Sequence, residues 1–126
     1  MSPMKRFALY VFAPVVLLGL TAALRAEDKA VNVVEVQLSE YKIDMPDTLP
    51  AGPTNFILHN EGGKSHSFKI EGPGLDGPFS SPIPPHTKGA LQVTLQAGEY
   101  KVTCPIGSHS MKGMTKTLTV TAKTEG

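Results

Sequence analysis

The chain has 126 residues, with twelve Lys and Arg, eleven Asp and Glu, and a single cysteine. That length suits one modest domain and not two. A lone cysteine excludes an intramolecular disulfide, and the lack of a Lys/Arg cluster in the domain argues against a nucleic-acid partner.

The first 26 residues predict a secretory signal peptide, because a short basic start precedes 18 uncharged residues at 7–24. An uncleaved membrane anchor is the alternative, although the run is barely long enough to span a bilayer and Pro14 interrupts it. Both alternatives place the domain 27–126 in the periplasm or another extracytoplasmic space. Cleavage after Ala26 would leave nine basic against eleven acidic residues, a formal charge of −2.

Period-2 alternation dominates after residue 26, and turns rich in glycine and proline separate the alternating runs. We predict a turn at 46–53 and strands at 31–38, 41–45, 54–60, 65–71, 89–96, 100–104 and 115–122. Several short strands separated by Gly/Pro turns are typical of an all-β sandwich.

The segment 72–88 differs from the rest, with five prolines, three glycines and no regular pattern. It is too long for a simple hairpin turn, and loops of this size are often functional or mobile. We predict a long surface connection near the functional site.

The lone cysteine lies in the stretch CPIGSHSMKGM (104–114). Because alternate residues of a strand share a face, Cys104 and His66 are both predicted to point into the sandwich at one rim. The loop after the cysteine would add His109 and Met114. Two imidazoles, one thiolate and a weak thioether describe a type 1, or blue, copper centre. Structural zinc sites do not use methionine, so zinc is the poorer match.

Other candidate ligands have a structural explanation. Met111 is the rival axial ligand, but a loop side chain exposed near the mouth of the site is the preferred interpretation. His59 and His86 have no second ligand at metal spacing and are predicted to be ordinary surface or turn residues. Lys112 and Lys116 lie near the ligand loop. One interpretation is that their charges steer a partner, and the simpler one is that they are solvated residues at a strand end.

Two motifs carry a family resemblance. HNEGGKSHSFKI (59–70) is similar to the N-x-G-x-x-x-H-x-F motif of the cupredoxins, and CPIGSHSMKGM followed by TLTV is similar to their C-x₄-H-x₄-M ligand loop and last strand. The chain resembles small type 1 copper proteins of the plastocyanin/azurin family over most of residues 31–122. Its ligand-loop spacing is closest to that of sulfocyanin-like members.

The resemblance implies a Greek-key β-sandwich or barrel with one copper ion. His66, Cys104 and His109 would be its equatorial ligands, and Met114 the axial one. Asn60 matches the family asparagine that stabilises the loop before the first ligand. Many members have asparagine where this chain has Ser67, and this departure leaves the reduction potential unpredicted.

Such a site implies a single-electron carrier and no enzyme, because it has no open position for a substrate and the loop lacks the second cysteine of a two-copper centre. We expect redox partner proteins to dock where Pro105, Ile106 and Met111 surround His109, and we expect a monomer. The first alternative is a periplasmic protein that stores or delivers copper. The second is a sandwich that serves only as an interaction module.

Overall fold

The computed structural model describes residues 30–123. It contains eight strands and one short 3₁₀ turn, Ser110–Lys112. The strands are β1 (Asn32–Ser39), β2 (Lys42–Asp44), β3 (Thr48–Pro50), β4 (Gly52–Asn60), β5 (Lys69–Glu71), β6 (Lys88–Leu95), β7 (Gly98–Thr103) and β8 (Thr115–Thr121). The predicted segment 1–26 and its cleavage site lie outside the described residues and stay predictions. Within residues 30–123, no helix has the length and apolar character needed to cross a membrane.

The strands form two four-stranded sheets, in the orders β2-β1-β4-β6 and β3-β8-β7-β5. β1 pairs with β4 in parallel, and β3 pairs with β8 in parallel, while the other pairs are antiparallel. The predicted all-β, Greek-key sandwich is confirmed. Its hairpin β7–β8 brackets the loop that carries Cys104, His109 and Met114.

The core lies between the inner faces of the two sheets, as the alternating pattern requires. Val34, Val36 and Leu38 of β1 are buried, while the residues between them are exposed. The fully buried rings of Phe56 and Phe68, with centroids 4.9 Å apart, pack one sheet against the other.

Tyr100 of β7 packs in the core and also forms two hydrogen bonds. Its ring is buried, its hydroxyl donates to Pro73 O at 2.6 Å, and it accepts a hydrogen bond from the backbone N–H of Gln96 at 2.9 Å. This side chain therefore fastens the start of the long connection to the core.

The predicted turn at 46–53 is wrong in part, because it contains β3 and the first residues of β4. Pro50 ends β3, which is an edge strand of its sheet, and edge positions tolerate proline. Ala51 then donates its N–H to Thr121 O at 2.9 Å, so pairing with β8 continues through the proline-rich stretch.

The predicted strand 65–71 is shorter than expected, since only Lys69–Glu71 has regular pairing. His66 instead forms an isolated bridge with Ile83. The His66 N–H donates to Ile83 O with an N···O distance of 3.2 Å, and the Ile83 N–H donates to His66 O at 2.7 Å. His66 and Phe68 are nevertheless both buried, as the alternation predicted, but so is Ser67. Isolated backbone bridges and side-chain contacts, and not regular strand pairing, hold this stretch.

The segment 72–88 is a long connection without a regular strand before Lys88. Three isolated bridges hold it, and two of them join it to residues 66–69. It therefore packs beside the segment that carries His66, which agrees with the prediction of a connection near the site.

Candidate metal centre

Three of the predicted ligands meet at one end of the sandwich. The donor atoms of His66, Cys104 and His109 all lie within 4.8 Å of one another. His66 and Cys104 are fully buried, and His109 is partly buried. The Cys104 Sγ lies 3.5 Å from His109 Nδ1, and the two imidazole centroids are 5.0 Å apart.

His66 presents one ring nitrogen without a partner. Its Nε2 lies 2.8 Å from Glu40 Oε2, whereas its Nδ1 is buried with no hydrogen-bond partner among the described residues. Buried polar atoms are rarely left unsatisfied, and each unsatisfied one calls for an explanation such as an ion. A metal bound at Nδ1 would satisfy this atom.

Cys104 directly follows β7, where the chain leaves the sheet for the ligand loop. Its backbone N–H donates to Met114 O at 3.2 Å, which closes the loop at its base. Its Sγ accepts a hydrogen bond from the backbone N–H of Ser67 at 3.4 Å. The thiol thus faces the His66 segment, 37 residues away in sequence.

The loop from Cys104 to Met114 is held by its own backbone. His109 donates its N–H to Ile106 O at 3.0 Å, and Met114 donates its N–H to His109 O at 3.1 Å. Gly113 has a φ of 126°, and a Cβ there would come within 2.8 Å of Tyr41 O. Glycine is therefore required at this close approach.

The two loop methionines have opposite environments. Met114 is fully buried, whereas Met111 is 83% exposed. The backbone of Met114 forms hydrogen bonds with the backbones of both Cys104 and His109, so this residue lies next to two of the predicted ligands. The exposure of Met111 agrees with the prediction of an exposed loop residue. The assignment of His66, Cys104, His109 and Met114 as the copper ligands stays a prediction.

Asn60 has the position that the resemblance implied. Its Nδ2 donates to Lys64 O and to Ile83 O, both at 2.8 Å, and its Oδ1 accepts from the Gly62 N–H at 2.9 Å. These bonds close the turn before His66 and tie it to the long connection.

Ser67 directly follows His66, and its hydroxyl contacts Ser80 of the long connection. It donates to Ser80 O at 2.7 Å and lies 3.1 Å from Ser80 Oγ, which also accepts the Phe68 N–H at 3.1 Å. Ser80 was not singled out by sequence reasoning, because nothing local marks one serine of the long connection as buried.

Glu40 was also missed. It lies in the β1–β2 connection and contacts His66 across 26 residues of sequence. The Gly63 N–H, followed by the His66 side chain, lowers the pKa of Glu40 from 4.5 to about 2. Burial, followed by the charge of His66, lowers the pKa of His109. Lowering the His109 pKa favours the neutral imidazole, the form that binds metals.

The remaining histidines lie apart from this cluster. His59 Nε2 is 2.6 Å from Glu35 Oε1, and His86 is an exposed turn residue with a φ of 59°. Lys116 pairs with Asp47 at 2.5 Å, and the Lys112 ammonium lies 5.0 Å from the Tyr41 ring centroid. These contacts agree with the structural interpretation of the two histidines. The lysines differ from solvated strand-end residues, because Lys112 lies in the 3₁₀ turn and the Lys116 side chain is only 21% exposed.

The donor set fits copper. Thiolate and thioether suit Cu(I), and imidazole accepts both oxidation states. Because the three donor atoms lie within 4.8 Å of one another and His66 Nδ1 has no hydrogen-bond partner within residues 30–123, the cluster is compatible with a single type 1 copper.

Comparison with solved structures shows the same fold in several copper proteins. The auracyanin of Roseiflexus castenholzii, solved in its dithionite-reduced form, is 19% identical with a TM-score of 0.60, over 73% of this chain and 98% of that one. Auracyanin A of Chloroflexus aurantiacus, described as a "blue" copper protein, is 15% identical with a TM-score of 0.60, over 72% and 99%. The copper nitrite reductase of Nitrosomonas europaea is 18% identical with a TM-score of 0.57, over 75% and 42%.

The nitrite reductase shows that enzymes also contain this fold, so the fold alone does not exclude catalysis. No curated protein sequence matches the chain. A family model described as "Cupredoxin-like domain" matches residues 9–120. The chain therefore belongs to the family of cupredoxin-like domains.

Proposed function

We propose that this protein is a small type 1 copper protein that carries single electrons between redox partners outside the cytoplasm. The proposal rests on the donor atoms of His66, Cys104 and His109, which lie within 4.8 Å of one another, and on the buried His66 Nδ1, which has no hydrogen-bond partner in the described part of the chain. His66, Cys104 and His109 would bind the metal equatorially, and Met114 axially. Bound copper would alternate between Cu(I) and Cu(II) and so accept and release one electron.

The chain's own residues suit this role because hydrogen bonds within the protein hold the site. Cys104 is fixed by hydrogen bonds at its N–H and its Sγ, and the ligand loop is closed by its own backbone bonds. Full burial of His66, Cys104 and Met114 excludes water from three of the four donors. A rigid, dry site changes little between oxidation states, which favours electron transfer over ligand exchange.

The rim around His109 is the proposed exit for the electron. His109 is partly buried, and the exposed Pro105, the partly buried Ile106 and the 83% exposed Met111 lie in the same loop. An apolar rim of this kind suits transient docking of a partner protein, which must approach the imidazole edge closely. We propose that the electron donor and acceptor are proteins that use this rim, and that the carrier is a monomer.

Copper storage or delivery is the competing function. A delivery site must release its metal to an acceptor, and exposed donors favour this exchange. The burial of the donors in this chain favours retention of the copper ion. The loop has one cysteine, whereas a two-copper centre needs two.

The test uses the purified full chain loaded with copper, kept in detergent because the segment 1–26 is apolar. Voltammetry measures its electron transfer, and competition with a chelator measures how fast it loses copper. The proposal predicts a reversible one-electron wave and retention of copper through repeated cycles. His86→Asn, at an exposed turn residue apart from the cluster, serves as a control that should leave both unchanged. Rapid transfer of copper to the chelator, with no reversible wave, would contradict the carrier and support delivery.

A further inference from the structure

We propose that Glu40 is the positioning residue of His66: it fixes which ring nitrogen faces the metal, and its negative charge favours Cu(II) over Cu(I). This inference rests on the proposed function, because it concerns a copper ion that His66 would hold. Glu40 is neither a predicted ligand nor part of either family motif.

The first step concerns the tautomer of His66. A neutral imidazole has one N–H and one lone pair, and an ionised carboxylate accepts hydrogen bonds but donates none. Because His66 Nε2 lies 2.8 Å from Glu40 Oε2, the hydrogen belongs on Nε2. The lone pair is then on Nδ1, the buried nitrogen without a partner, which belongs to the cluster with Cys104 and His109.

The second step is that Glu40 is itself held in place. The Gly63 N–H donates to its Oε1 and the Lys64 N–H donates to its Oε2, both at 3.1 Å. The carboxylate thus accepts three hydrogen bonds from one short segment, and its side chain is only 28% exposed. A carboxylate fixed in this way orients the imidazole ring and does not merely follow it.

The third step concerns charge. A carboxylate hydrogen-bonded to a metal-bound histidine makes that ligand more basic, and losing such a partner typically lowers metal affinity by 10–100-fold. The negative charge interacts more strongly with Cu(II) than with Cu(I). Removing the charge should therefore weaken Cu(II) binding more than Cu(I) binding and raise the reduction potential.

Two neighbouring glycines provide a matched pair of variants. A Cβ at Gly62 would overlap the Glu40 carboxylate, whereas a Cβ at Gly63 meets no atom within 4 Å. Neither glycine has a positive φ, so alanine fits the backbone at both positions. Gly62→Ala should displace the carboxylate while leaving Glu40 in the sequence, and Gly63→Ala should leave it in place.

The experiment compares the full chain with Glu40→Gln, Gly62→Ala and Gly63→Ala. Cu(II) affinity is measured by chelator competition, the reduction potential by voltammetry, and the His66 tautomer of the metal-free protein by ¹⁵N NMR. For Glu40→Gln and Gly62→Ala we expect Cu(II) affinity to fall about 10–100-fold, with a smaller loss for Cu(I). The potential should therefore rise, by about 59 mV for each tenfold change in the ratio of the two affinities for one electron. Gly63→Ala should match the unmodified chain, whose His66 should carry its hydrogen on Nε2.

The outcomes separate the two proposals. If the unmodified chain binds copper and gives a blue spectrum, but neither Glu40→Gln nor Gly62→Ala changes affinity or potential, the role of Glu40 is refuted and the carrier function stands. A neutral His66 that carries its single hydrogen on Nδ1 in the metal-free chain would also refute that role. If the unmodified chain binds no copper, the proposed function fails, and this inference fails with it. Gly62→Ala gives an independent answer if Glu40→Gln does not fold.

Discussion

Replacing Asn60 by alanine should destabilise the metal-free protein more than any surface change in the same sheet. The side chain is almost fully buried, at 2% exposure, and makes three hydrogen bonds that close the turn before His66. Alanine keeps the strand and removes all three bonds. The effect therefore measures how strongly this turn is held.

The magnitude follows from the groups left behind. Lys64 O and Ile83 O each lose a donor, and the Gly62 N–H loses its acceptor in a buried position. A net loss of about 1 kcal/mol per bond, with a larger cost for the buried N–H, gives about 3–4 kcal/mol. Ile83 O still accepts the His66 N–H at 3.2 Å, which limits its share. The total is a large fraction of the roughly 5–15 kcal/mol that stabilises a typical domain.

Urea unfolding measures the change, provided that the slope with denaturant stays constant. Asn32→Ala is the matched control, because Asn32 Nδ2 makes a single exposed hydrogen bond to Pro50 O at 3.4 Å. We expect the control to cost less than about 0.5 kcal/mol. If Asn60→Ala costs no more than Asn32→Ala, the three buried bonds do not stabilise the turn and the reasoning is wrong.

Three further predictions concern the core, the pH dependence and the axial position. Phe68→Ala removes a fully buried ring and should cost about 3–5 kcal/mol in the same assay; a loss below about 1 kcal/mol would contradict the packing against Phe56. The Glu40 carboxyl has a folded pKa of about 2 against an ordinary 4.5, so its stabilisation of the metal-free protein is present above pH 4.5 and is lost as pH falls from 4.5 toward 2. Glu40→Gln should flatten this part of the stability profile, and an unchanged profile would refute the contribution. The His109 pKa is lowered from 6.5, so below pH 6.5 the unfolded state binds more protons than the folded state. The stability of the metal-free protein should therefore begin to fall as the pH drops below 6.5. Met114→Leu conserves volume and should cost less than about 1.5 kcal/mol while changing the reduction potential; an unchanged potential would argue against Met114 as the axial ligand.

The period-2 pattern predicted most of the fold because it reports burial directly. In β1 and β7 the alternating apolar residues are the ones that the structure buries. The pattern failed at β3, where Thr48–Pro50 looks like a turn by composition. Its strand character depends on a parallel partner, β8, about 70 residues away in sequence, and no local signal reports such pairing.

The candidate site was likewise predictable only where a local sequence pattern marks its residues. Spacing in the loop located Cys104, His109 and Met114, and the motif around Asn60 located His66. The sequence does not mark Glu40 or Ser80 as part of the site. Each lies in a connection without a regular sequence pattern and forms hydrogen bonds with residues distant in sequence. From the sequence alone, Glu40 cannot be told apart from a solvated acidic residue, because its contact with His66 depends on the fold.

The central claim is that Cys104 and its neighbours hold one copper ion as a type 1 centre. The most direct measurement is the visible and electron paramagnetic resonance spectrum of the full chain after addition of one equivalent of Cu(II). A type 1 centre should give an intense blue thiolate-to-copper band with a narrow hyperfine splitting, both lost in Cys104→Ala. A pale spectrum with ordinary splitting, unchanged in Cys104→Ala, would show that Cys104 does not hold copper in this way.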